Sequence, residues 1–121
     1  MAYHSFEELD VWKNACRLTV DVHAQFKESK DYFMRDQILR SALSVPSNIA
    51  EGCERGSEAD TNRFLHIAKG SCAELRTQLY LSVKMGLVSA AAIEPLIAES
   101  KSISAQLHNL IASLKRRQQK S

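Results

Sequence analysis

Long apolar runs are missing from this sequence of 121 residues; none approaches the ~20 residues that a membrane-spanning helix needs. No basic, apolar leader opens it, so a cytoplasmic location with no membrane partner is the expectation. Glycine and proline are scarce, at four and two. An all-β domain needs many more turn residues, and no stretch alternates strictly enough for a half-buried strand. Cysteine occurs three times, at Cys16, Cys53 and Cys72, without any Cys-x-x-Cys pair. An odd, scattered set reads as reduced thiols that pack as small hydrophobes, which excludes a disulfide framework and a cysteine metal site. Excess charge is also lacking. The formal net charge is +2, but Lys115, Arg116, Arg117 and Lys120 crowd into the last seven residues, and without them 12 basic residues face 14 acidic ones. A uniformly basic nucleic-acid binder is excluded, so any such role falls to a local patch or to the tail.

What remains is helix. Hydrophobic residues make up 45% and charged residues 25%, the mix of one globular domain with a core that needs no staples. Ser5-Phe6-Glu7-Glu8 reads as a capping box that opens a helix over about 6–26. Asp31 caps a second over 32–54, closed between Gly52 and Gly56. Ser57 caps a third over 58–85, stopped by Gly86, and Ser89 caps a fourth over 90–117, with a basic tail over 118–121. Short loops make such helices antiparallel neighbours, so an all-α, up-down-up-down four-helix bundle over 1–117 is expected.

The core follows from helical spacing. Ile93, Leu96, Ser100, Ile103, Leu107, Leu110 and Leu114 recur three and four apart on the fourth helix. Phe64, Ala68, Ser71, Cys72, Leu75, Leu79 and Val83 form an arc on the third, where small Ala68, Gly70, Ser71 and Cys72 permit a close helix approach. The first helix is apolar too far round. Leu9, Trp12, Cys16, Val20 and Phe26 take one side, and Val11, Ala15, Leu18 and Val22 an adjoining one. Either the monomer core has slack, or Val11, Ala15, Leu18 and Val22 form a self-association surface.

Pro46 stands inside the second helix, at a propensity cost of about 3 kcal/mol, and predicts a kink. Arg40, Ser44, Ser47, Asn48, Glu51 and Arg55 share a polar face around it. That face is either a bracing network, with Glu51 paired to Arg55, or a binding surface for a phosphate or a partner. On the third helix Lys69, Arg76 and Lys84, with His66 and Tyr80, fall within about 80° of arc, free of acids. Phosphates could lie along that stripe with a base on Tyr80, or the stripe is simply a solvated outward face. Lys115, Arg116 and Arg117 extend the basic surface, or complement the helix macrodipole.

Catalytic chemistry finds no constellation. His4, His23, His66 and His108 are scattered, with His23 expected in the core. No helical His/Glu pair is spaced to hold a metal, and no glycine-rich loop follows a strand. No enzyme activity, cofactor or metal is expected.

Two stretches resemble a known family. Arg40-Ser41-Ala42-Leu43-Ser44-Val45-Pro46-Ser47-Asn48-Ile49-Ala50-Glu51-Gly52, followed by Arg55, matches its Ser-x-Pro-x-Asn-Ile-Ala-Glu-Gly pattern. Phe64-Leu65 and Ala68-Lys69-Gly70-Ser71-Cys72-Ala73-Glu74-Leu75 match its third-helix pattern, and the opening Phe6-Glu7-Glu8-Leu9-Asp10-Val11-Trp12 is similar to its start. The family is that of the 23S rRNA intervening-sequence proteins, and the resemblance spans nearly the whole chain. It implies a small bacterial four-helix bundle without enzymatic activity that is no structural part of the ribosome. Through a related branch, the accessory proteins of diversity-generating retroelements, it implies a pentameric barrel that binds nucleic acid and a reverse transcriptase. The expected function is a non-enzymatic, homo-oligomeric adaptor associated with RNA or DNA. The alternative is a protein–protein scaffold that touches no nucleic acid.

Overall fold

The computed structural model describes the backbone of residues 5–120 and the side chains of residues 5–117. A short 3-10 turn, Phe6–Glu8, precedes four helices: α1 Asp10–Phe26, α2 Tyr32–Glu54, α3 Glu58–Lys84 and α4 Ala90–Lys120. Consecutive helices pack on one another and α4 returns against α1, the square of an up-down-up-down bundle.

The N-terminal signal marks a different element from the one expected. Ser5 Oγ accepts the Glu7 N–H at 3.1 Å and donates to the Glu7 carboxylate at 2.7 Å, so it caps the 3-10 turn. Leu9 is extended, and α1 starts only at Asp10. The other caps fall where their residues placed them. Asp31 accepts from the Met34 N–H, Ser57 from Asp60 and Ser89 from Ala92. Gly56 and Gly86 take the left-handed conformation that ends α2 and α3, at φ 84° and 76°. Helix α4 runs three residues past the expected boundary at 117, while His4 and the side chains of the basic tail 118–121 lie outside the described residues.

The expected seams of α3 and α4 form the core. Ile93, Leu96, Ile103, Leu107 and Leu114 are buried against Leu65, Ala68, Cys72, Leu75 and Leu79, with Leu110 and Val83 at the margin. The self-association assignment on α1 is corrected: Val11, Ala15, Leu18 and Val22, with Phe26, are the stripe that α1 turns into the core. Wedged between α2 and α4, α1 buries the stripe facing both, and its other apolar side is left partly outside. Trp12 and Cys16 are half-buried and Val20 is 66% exposed. His23 is exposed, not in the core.

Helix α2 continues through Pro46 to Glu54. Pro46 has no N–H to offer the Ala42 carbonyl, and that carbonyl finds a donor on the neighbouring helix. Thr19 Oγ of α1 lies 3.0 Å from Ala42 O and 2.8 Å from Ala15 O, so its one hydrogen is shared between them.

Candidate nucleic-acid and self-association surfaces

The polar face around Pro46 divides. Its inner half joins α2 to α3. Ser44 Oγ and Ser71 Oγ are 2.9 Å apart, Asn48 Nδ2 donates to Ser44 O and Oγ at 2.8 and 2.9 Å, and Ser41 donates to Glu74 at 2.8 Å. Gly52 completes this clasp. A Cβ there would meet Phe64 Cβ at 2.8 Å and Thr61 O at 3.2 Å, and Thr61 Oγ donates to the Gly52 carbonyl at 2.8 Å. The outer half, Arg40, Ser47, Glu51 and Arg55, is exposed. Arg55 pairs with Glu51 at 3.0 Å and lies over the Phe64 ring, which Arg63 also covers. Both partners of that ion pair are about half exposed, so the pair adds little to stability.

The basic stripe of α3 is only partly brought together. Arg76 turns into the α3–α4 seam, where its Nε donates to Ser100 Oγ at 2.9 Å and its Nη2 to Ser100 O at 3.2 Å. Cys72 donates to the same carbonyl at 3.1 Å. Arg76 therefore satisfies a buried hydroxyl and is withdrawn from the proposed phosphate stripe. Burial pushes the Cys72 thiol above its ordinary range, and the neighbouring Arg76 charge offsets part of the rise. Burial raises the thiols of half-buried Cys16 and Cys53 in the same sense. Lys84 and Tyr80 remain exposed.

At the other end of the seam the structure collects a group that the sequence had scattered. His66 and Lys69 of α3 and His108 and Lys115 of α4 line one groove of about 340 Å³, with Ile111 and Ala112 as its floor. Lys69 Nζ lies 3.2 Å from His108 Nδ1. No carboxylate is among the lining residues. Arg116 is exposed nearby, whereas Arg117 reaches to 4.0 Å from Glu58 at the start of α3. Lys101 was overlooked, although Lys101, His108 and Lys115 recur every seven residues and so share a helix face.

An exposed apolar groove lies on the α1–α2 seam, across the square from α3–α4. Thr19, Val20, His23, Leu39 and Leu43 line about 310 Å³, and Tyr32 continues the α2 stripe. Leu43 is 58% exposed. Lys13 of α1 and Asp36 and Arg40 of α2 are exposed, and Asp36 pairs with Arg35 at 3.0 Å. Among the described residues no three His, Cys, Asp or Glu side chains are grouped to hold a metal ion, and no helix is long and apolar enough to cross a membrane.

Comparison with known proteins adds two findings. A family profile described as 23S rRNA-intervening sequence protein matches residues 7–109. A crystal structure of a protein of unknown function from the S23 ribosomal protein family of Bacteroides thetaiotaomicron VPI-5482 is similar in fold. Its TM-score is 0.80 at 28% identity, over 84% of this chain and 97% of that one. No curated protein matches the sequence.

Proposed function

The chain belongs to the 23S rRNA-intervening sequence protein family, and from that premise we propose that it is a non-enzymatic, homo-oligomeric adaptor that associates with RNA or DNA. One observation carries the reading: the exposed apolar groove and the basic groove occupy opposite seams of the bundle. Copies joined through α1–α2 leave every α3–α4 groove on the outside. A ring of identical subunits then presents a modest patch several times, and weak phosphate contacts add through avidity. The α1–α2 groove suits a second copy because its exposed Val20 and Leu43 would be covered by the same apolar surface of another chain. A resemblance to the retroelement accessory proteins is what supports five as the number of copies, with a nucleic-acid enzyme such as a reverse transcriptase as a further partner.

Light scattering at micromolar concentration tests the assembly, with about five chains per particle expected. Val20→Glu with Leu43→Glu should give monomers of unchanged helicity, because both side chains are exposed within one chain. Val11→Glu should instead unfold the chain, since it places an unpaired charge in the core. A wild-type monomer refutes the oligomer. An oligomer that binds no RNA or DNA at low salt replaces this reading with the protein–protein scaffold.

A further inference from the structure

We propose that the α3–α4 groove holds the phosphodiester backbone of a single-stranded nucleic acid, with Lys69 and Lys115 as its charge contacts and His66 and His108 as hydrogen-bond donors. The inference rests on the nucleic-acid reading above and gives it a site. The chemistry of the groove is one-sided. An ammonium can only donate, so the 3.2 Å contact between Lys69 Nζ and His108 Nδ1 makes Nδ1 the acceptor. In the neutral ring the hydrogen of His108 then sits on Nε2, on the far side from Lys69. Lys69 keeps further N–H bonds for a ligand, and Lys115 brings an exposed ammonium. The apolar floor of Ile111 and Ala112 lowers the competition from water. Such a groove fits a ligand that carries acceptor oxygens and negative charge.

The pattern along the helices favours a polyanion over a lone anion. Lys101, His108 and Lys115 repeat at about 10 Å intervals along α4. On α3 the edge continues from Lys69 to exposed Tyr80 and Lys84, with Tyr80 about 16 Å further on. A free aromatic face beside a phosphate track suits an unpaired base, which a duplex does not offer. RNA and DNA share the backbone chemistry, and the two probes distinguish them.

The test uses the full chain and fluorescein-labelled oligouridine and oligothymidine of about 12 nucleotides, followed by anisotropy from low to moderate salt. Lys69→Gln with Lys115→Gln should weaken binding by about tenfold or more and reduce the log–log salt slope by about 1.4, for two lost single-strand contacts. Tyr80→Ala should weaken binding by about tenfold and leave the slope unchanged. Light scattering and helicity should match the wild type in all variants, because the altered side chains lie at the surface. Wild-type binding that the double variant retains overturns this site and leaves the nucleic-acid reading standing. No wild-type binding to either probe overturns both. Competition by polyglutamate as effective as that of the oligonucleotides overturns the phosphodiester assignment in favour of an acidic protein segment.

Discussion

Two glycines in helix interiors should respond to alanine with opposite signs. Gly52 of α2 faces α3 at close range, and a Cβ there would stand 2.8 Å from Phe64 Cβ and 3.2 Å from the Thr61 carbonyl. Ordinary carbon contacts begin near 3.5 Å, so Gly52→Ala must part the two helices locally by about 0.7 Å. Neither obstacle is a flexible side-chain end that could swing aside. Overpacking of this kind costs about 1–3 kcal/mol, and the displaced Thr61 hydrogen bond about 1 kcal/mol more. Alanine returns about 1 kcal/mol through its helix propensity. The net loss is about 2 kcal/mol, or about 8 °C in Tm for a chain of this size. Apart from its own helix backbone, no atom of the described residues lies within 4 Å of a Cβ built on Gly70 of α3. Gly70→Ala keeps the propensity gain alone and should raise stability by about 0.5–1 kcal/mol. Thermal and urea unfolding followed by circular dichroism read both, at equal protein concentration because self-association would shift Tm. A Gly52→Ala protein as stable as Gly70→Ala refutes the account of the α2–α3 crossing.

Two further outcomes follow from the helix seams. Thr19→Val should cost about 1–2 kcal/mol by leaving the Ala42 carbonyl without a donor, and less in a Pro46→Ala background, where a backbone N–H returns to that carbonyl. Equal costs in the two backgrounds would refute the pairing of Thr19 with the proline. Cys72, whose thiol burial raises from the ordinary 9.0, stabilises the fold fully below that pH and loses its contribution as pH rises through the folded value. Denaturant unfolding across alkaline pH should therefore show falling stability, with a shallower fall in Cys72→Ala.

The apolar faces of α3 and α4 were legible because their periodicity allows one inward orientation. The α1 helix was not, because its apolar residues cover two adjoining sides and the sequence leaves its rotation undetermined. Packing against both α2 and α4 selected the Val11–Val22 stripe for the core and left Val20 outside. Thr19 was missed for a related reason. A threonine in α1 and a proline in α2 are each visible, but the register that sets one beside the other exists only in the packed pair. Ser100 did carry a signal. Its hydroxyl donates to the Ile97 carbonyl on its own helix and keeps an acceptor site in an otherwise apolar seam, and Arg76 is the long donor on the facing helix that fills it. The sequence placed Arg76 on a binding stripe because the wheel gives direction, not whether a side chain folds back into a seam.

The residues that make the family recognisable serve mostly to hold α2 on α3. Pro46, Asn48 and Gly52 on one side, and Ser71 and Glu74 on the other, belong to the clasp and to the proline site that Thr19 repairs. The motif thus identifies a fold more than a ligand. The groove residues His66, Lys69, His108 and Lys115 fall at positions the motif leaves open or lie beyond it, where one bundle can differ from another without cost to the core. Gly70 stands apart from both groups. It belongs to the motif, yet it is exposed in the middle of α3, where glycine costs about 1 kcal/mol relative to alanine, so the stability gain expected of Gly70→Ala separates its place in the motif from any part in the clasp.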